Sequence, residues 1–216
     1  MYEGPISYSG KSLFFQCPFK WADAYIHGNR SPQGKAAQRG NQLHDALEQF
    51  FLNPMTYPSR VQTNRGWESV LGAWEGYMRD LLQHNPIPEC ELAVDKHWQP
   101  TSFDDPMAYA RGKADLRYEN DTSLYIYDWK SGNIYDSHKS QGEMYIAMSP
   151  EGYEEYVTRF TYLDRCPTEV TNKYSHKDRE NIIVELRDEI EIIRNATEYP
   201  QTPNDGCKWC HLSWRN

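Results

Sequence analysis

The chain predicts an α/β (α+β) fold with a helical N-terminal part. Apolar residues at helical spacing dominate residues 7–82 and return at 136–148 and beyond 175. Residues 90–99, 111–130 and 153–163 are instead rich in the aromatic and branched side chains that suit strands. Within 111–130, the polar run Glu119-Asn120-Asp121-Thr122 marks a tight turn and makes a hairpin of the flanking segments.

At 216 residues without a shift in composition, residues 1–216 are expected to form one domain. The net charge of −8 argues against a broadly basic surface, although a local groove can still bind nucleic acid. The N-terminus lacks the basic-then-apolar pattern of a signal peptide, and no run approaches the roughly 18 apolar residues of a membrane span, so a soluble, cytoplasmic protein without membrane contact is expected. Five cysteines are an odd number, better read as reduced thiols or metal ligands than as a disulfide framework. The 16 tyrosines and 7 tryptophans favour amphipathic contacts over a purely aliphatic core.

In chain order, residues 7–25 read as a short helix carrying Leu13, Phe14, Trp21 and Tyr25, interrupted at Cys17-Pro18. After a loop at 27–34, residues 35–51 place Ala36, Gly40, Leu43, Leu47, Phe50 and Phe51 on one helical face, with His44 among them. His44 is either a satisfied core histidine or a ligand. The cleanest amphipathic helix follows, with Trp67, Val70, Leu71, Trp74, Tyr77, Met78, Leu81 and Leu82. Pro86 and Pro88 close it, and residues 90–99 read as a strand in which Glu91 lies at the edge of the hairpin cluster or faces solvent.

Centring the hairpin turn between Asn120 and Asp121 pairs Asp115 with Ile126 and puts Asp115, Asp128 and Lys130 on one face, because strand side chains alternate. A helix over about 136–148 sets Gln141 and Tyr145 one turn apart, beside Met144 and Met148. A strand at 153–163 comes next. Ser175 with Asp178 then caps a long helix bearing Ile182, Ile183, Leu186, Ile190 and Ile193, which Pro200 ends.

Two carboxylates and an amine on one strand face suit phosphodiester hydrolysis. That reaction needs an anionic phosphate neutralised, a water oriented and a leaving oxygen stabilised, and divalent metals held by carboxylates supply these together. Asp115 and Asp128 suit Mg²⁺, which prefers oxygen ligands and keeps several waters. Lys130 can orient or help deprotonate the attacking water and offset phosphate charge. A bare D-x-K is more often a surface ion pair. The ordered set is rarer: His44 on an early helix, Glu91 on a strand, G-x-x-D at Gly112 to Asp115, D-W-K-S-G at Asp128 to Gly132, and Q-x-x-x-Y at Gln141 to Tyr145.

With that set the chain resembles the PD-(D/E)XK nuclease superfamily, in its RecB-like branch, which includes CRISPR adaptation nucleases and phage-type exonucleases. The resemblance runs from S-x-x-L-F-F-Q-C-P-F-K-W at Ser9 to the terminal cysteines. It implies a restriction-endonuclease-like central mixed β-sheet flanked by helices, with His44, Asp115 and Asp128 as ligands for Mg²⁺ or Mn²⁺ and Glu91 as a further acidic residue at the metal. It also makes Lys130 the catalytic lysine, with Gln141 and Tyr145 as helpers. Cluster-bearing members have an early cysteine before proline and late cysteines opening with C-x-x-C. Cys17, Cys207 and Cys210 fit three of those four places. The fourth ligand is missing; Cys166 or His211 could complete an iron–sulfur or zinc site, or the cysteines are reduced and residues 1–30 and 200–216 pack together through Trp209 and Trp214.

The expected function is a metal-dependent DNA nuclease, an exonuclease on single-stranded DNA or DNA ends, stand-alone and of phage or bacterial origin, serving recombination, replication or repair with or without a partner protein. The rival readings are a catalytically silent nucleic-acid-binding or assembly subunit and a structure-specific endonuclease. Against the silent subunit stands the crowding of Asp115 and Asp128, which repel unless a cation relieves them.

Overall fold

The computed structural model describes residues 2–30, 34–55, 65–204 and 207, and the side chains of 65–69 lie outside that description. Two short helices open the chain, α1 (Tyr8–Gln16) and α2 (Pro18–Tyr25). Ser7 caps α1 by accepting from the Gly10 N–H, and Cys17-Pro18 breaks the pair because proline has no N–H to continue α1 but fits the start of α2. Two long helices follow, α3 (Lys35–Leu52) and α4 (Arg65–Leu82). In α4, Leu71, Trp74, Met78 and Leu81 are buried at helical spacing, each contributing about 1.5–3 kcal/mol. Trp67 belongs to the same predicted stripe, but its side chain lies outside the described residues.

The sheet contains β1 (Ile87–Val94), β2 (Ala110–Glu119), β3 (Ser123–Lys130), β4 (Glu155–Tyr162) and β5 (Glu169–Ser175) in the order β1-β2-β3-β4-β5. Strand β4 runs parallel to β3 and all other neighbours are antiparallel, which makes the sheet mixed. The parallel step is bridged by α5 (Ser137–Met148), as parallel strands require a crossover. Helix α6 (His176–Asn195) closes the fold, opened by a capping box in which Ser175 and Asp178 each bond the other's backbone N–H.

Helices α1, α2, α5 and α6 cover one face of the sheet, with Trp21, Ile126, Met144, Tyr156 and Ile190 in its core. Helices α3 and α4 cover the other, packing Leu43, Leu47, Phe50 and Met78 on Tyr127 and Trp129. Among the described residues no helix is long and apolar enough to cross a membrane.

Three expectations are corrected. The first strand runs over Ile87–Val94, because Asp95 turns the chain by accepting from the N–H groups of His97 and Gln99 at 2.8 and 2.9 Å. Ile126 pairs with Arg117, not with Asp115. The turn is longer and centred later, with Asn120 Oδ1 accepting from the Thr122 and Ser123 N–H groups. That register differs by two residues, an even shift that keeps the expected alternation along β3 and carries Asp115 towards the level of Asp128. Strand β5 was not expected: its polar residues sit at the sheet edge, half exposed, where alternation is weak.

Candidate active site

On β3, Leu124 and Ile126 belong to the α5 side and Tyr127 and Trp129 to the α3 side. Alternation therefore sends Asp128 and Lys130 towards α5. On β2, Ala110 and Ala114 pack on the α5 side but Leu116 and Tyr118 on the α3 side, although all are even-numbered. The strand changes the face it presents around Asp115, and this places the Asp115 carboxylate within reach of both layers.

Each carboxylate is held by a different layer. Asp115 Oδ1 accepts from His44 Nδ1 on α3 at 2.8 Å, and its Oδ2 accepts from the Trp129 N–H at 2.6 Å. Asp128 Oδ2 accepts from Gln141 Nε2 on α5 at 2.7 Å and faces the Tyr145 hydroxyl at 3.1 Å. The Gln141 amide points both ways, its Oε1 accepting from Lys130 Nζ at 2.8 Å. Tyr145 also donates to the Lys113 carbonyl at 2.9 Å, tying α5 to β2. Lys130 Nζ stands 2.5 Å from Asp128 Oδ1 as an ion pair, and among the described residues that buried oxygen has no other polar partner.

Two glycines set the distance between α5 and the sheet. A Cβ at Gly112 would come within 2.9 Å of the Met148 side chain and 3.3 Å of the Tyr145 ring. One at Gly142 would meet Thr158 Oγ1 at 2.9 Å and its Cβ at 3.1 Å. Hydrogen at Gly142 lets the helix seat Gln141 and Tyr145 on Asp128, and a side chain at Gly112 would displace Met148 and crowd the Tyr145 ring.

The site is electrostatically strained. The side chains of Asp115 and Asp128 are only 11% and 5% exposed. Burial, then the charge of Asp128, pushes Asp115 up to about 6, even though His44 and the Trp129 N–H pull the other way. For His44, burial opposes protonation, but the hydrogen bond and charge of Asp115, with Asp128 behind it, prevail and raise it to about 8. Burial and the two carboxylates hold the Tyr145 hydroxyl well above its ordinary value, so it stays protonated. Among the described residues no three His, Cys, Asp or Glu side chains stand close enough to hold an ion as arranged. The donor chemistry nevertheless suits a divalent cation: two repelling carboxylates, one bearing a buried oxygen met only by the Lys130 ammonium among the described residues.

His44, Asp115, Asp128, Lys130, Gln141 and Tyr145 are thus brought together. Glu91 is not: it is exposed, opposite Lys113 in the register, and makes no hydrogen bond or ion pair with the cluster. Glu89, one pleat nearer the site, pairs with Lys113 at 3.0 Å. The Trp129 N–H was not legible in the side-chain pattern, because it is a backbone group selected by the register.

The cysteines are divided. Cys17 sits half-buried between α1 and α2. Cys207 Sγ accepts from the Asn204 N–H at 3.2 Å, and Asn204 Nδ2 donates to the Gln16 carbonyl at 3.2 Å, so the described chain ends beside the junction that holds Cys17. Cys166 is exposed against the Ala73 carbonyl of α4, at 3.4 Å and in the other layer. Cys210, His211, Trp209 and Trp214 lie outside the described residues.

Comparison with known proteins gives this fold a family. The family model of the PD-(D/E)XK nuclease superfamily matches residues 5–215, and the chain belongs to that superfamily. The fold is similar to that of a candidate exonuclease from Eubacterium rectale, at 11% identity and a TM-score of 0.62 over 97% of this chain and 89% of that one. A protein called SSO0001 matches at 16% identity and a TM-score of 0.44 over 97% of this chain and 84% of its own. No curated protein matches the sequence.

Proposed function

We propose that the chain is a divalent-metal-dependent DNA nuclease that removes nucleotides from single strands or DNA ends. What supports this most is the Asp115–Asp128 pair, two carboxylates buried side by side at a cost that a scaffold role gives no reason to bear. Asp115, Asp128 and His44 would hold the ion, Mg²⁺ or Mn²⁺. Once bound, the ion supplies charge neutralisation at the phosphate and a more acidic water.

The chain's own groups account for the rest. Lys130, oriented by Gln141 Oε1, presents its ammonium beside Asp128, where it can offset phosphate charge and steer a water. Gln141 fixes Lys130 and Asp128 relative to each other through one planar amide. Tyr145, bonded to the Lys113 carbonyl, holds that amide and Asp128 Oδ2 in place. His44 and the Trp129 N–H pin Asp115 so that it keeps one orientation. The name of the Eubacterium rectale neighbour agrees with an exonuclease. Phosphate contacts carry no base information, so sequence preference is expected to be weak.

The test uses end-labelled and circular DNA, single- and double-stranded, with Mg²⁺, Mn²⁺ or chelator. Cleavage of linear but not circular DNA, abolished by chelator and reduced roughly a thousandfold in Lys130→Ala, is the expected result. Cleavage of circles would make the enzyme an endonuclease. No cleavage by the wild type, or undiminished cleavage by Lys130→Ala, would overturn the assignment.

A further inference from the structure

The face of the sheet beneath α5 continues past the carboxylates onto β4. The register sets Asp128 beside Phe160 and Lys130 beside Tyr162, so these four side chains form a two-by-two patch. Gln141 and Tyr145 engage the β3 half. His138, three residues before Gln141 on the same stripe of α5, engages the β4 half. Its ring stacks on Phe160 with centroids 5.7 Å apart, and its Nδ1 lies 2.7 Å from the Tyr162 hydroxyl. Lys130 Nζ lies 5.6 Å from the centroid of the same Phe160 ring. Imidazole and ammonium therefore share one neighbour.

The direction of the Tyr162 bond follows from burial. Tyr162 is 1% exposed, and its hydroxyl has no other hydrogen-bond partner among the described residues. A buried O–H has to donate, so its proton goes to Nδ1 and the imidazole carries its own proton on Nε2. The ring is only half-buried, and Nε2 has no protein partner among the described residues. Burial, then the charge of Lys130, lowers the proton affinity of His138, and the N-terminal end of α5 disfavours a further positive charge. The outcome is a neutral imidazole of defined tautomer, with a free N–H, beside Lys130.

We propose that His138 is a substrate-contacting residue, its Nε2–H donating to a non-bridging oxygen of the phosphodiester that lies over Lys130. This rests on the nuclease reading. The Tyr162 hydroxyl accounts for Nδ1 alone; the second ring nitrogen, on a half-buried ring beside Phe160 and Lys130, is the one that the packing leaves without a use. Tyr162 is then a positioning residue, acting through His138.

Steady-state cleavage of a single-stranded oligonucleotide, its anisotropy binding in Ca²⁺ and thermal melting are measured for wild type, His138→Ala, His138→Gln and Tyr162→Phe. His138→Ala is expected to raise KM about tenfold and weaken binding to match, with kcat within about twofold. His138→Gln, which places an amide N–H near the Nε2 position, should recover part of that loss, and Tyr162→Phe should show a smaller rise in KM. An unchanged KM in His138→Ala, a glutamine variant no better than alanine, or a loss that tracks melting temperature alone would overturn the inference. A wild type that cuts nothing would instead overturn the nuclease reading, and the two failures are distinct.

Discussion

Two buried charged clusters lie in contact with α5, and they are built in opposite ways. At its C-terminal end Arg179 is 2% exposed, yet its guanidinium donates to the carbonyls of Ile146, Ala147 and Ser149 at 3.3, 3.2 and 2.8 Å and reaches Glu151 at 3.3 Å. Those carbonyls lie at the C-terminal end of α5, where the ladder of intrahelical N–H donors runs out, and a cation there also meets the negative end of the helix dipole. At the other cluster, Gln141 and Tyr145 serve a pair of carboxylates that repel each other, one of them holding an oxygen met only by the Lys130 ammonium among the described residues. A buried charge that serves the fold is saturated by its surroundings. A buried charge that serves chemistry is instead crowded against a second charge of the same sign, and its protein partners do not remove that repulsion.

That contrast is open to direct attack. The largest effect is expected from Asp115→Asn, which should cut DNA cleavage roughly a thousandfold while leaving the metal-free protein as stable as the wild type or more so, since it removes a repelling charge. Cleavage rates paired with melting in EDTA test this; a strong loss of stability would mean that Asp115 holds the fold. Arg179→Ala should show the reverse signature, a loss of about 3–5 kcal/mol in denaturant unfolding with cleavage per folded molecule retained.

Next in size is a pH effect. Asp115 and His44 are both raised in the folded protein, so both contribute stability at low pH that is lost as pH rises. The Asp115 contribution is complete below its ordinary value of 3.8 and lost through about 6, and that of His44 is complete below 6.5 and lost through about 8. Asp178 and Asp164, lowered by their Ser175 and Arg39 hydrogen bonds, act in the opposite sense and lose stability as pH falls below the carboxylate range. Melting in EDTA should therefore decline between pH 5 and pH 9 by a few degrees, on the order of the 2–4 °C that 1 kcal/mol produces in a domain of this size. Mg²⁺ should raise the melting temperature more at pH 8 than at pH 6, and Asp115→Asn should flatten both trends. The smallest effect is expected from Ser175→Ala. Removing the cap of α6, one turn before Arg179, should cost about 1 kcal/mol in unfolding experiments and leave KM and kcat unchanged.

Features written by neighbouring residues were legible before any coordinates. The Cys17-Pro18 break needs only the missing proline N–H, and the start of α6 needs only a serine and an aspartate three residues apart. The shared face of Asp128 and Lys130 follows from a period of two on one strand. The exact pairing of β2 with β3 was not legible, since it depends on how Asn120 folds the turn. The exclusion of Glu91 was likewise hidden, because it depends on how β1 registers against β2.

The sequence by itself determined the kinds of element, their order and the residue types that meet in chemistry, because propensity, capping and periodicity act over a few residues. Only the tertiary structure decided that β2 would change faces around Asp115, that Gly112 and Gly142 would let α5 close on the sheet, and that His138 would stand on Phe160 beside Lys130. Each of those depends on contacts between segments far apart in the chain, where packing and burial, and not local preference, select the arrangement.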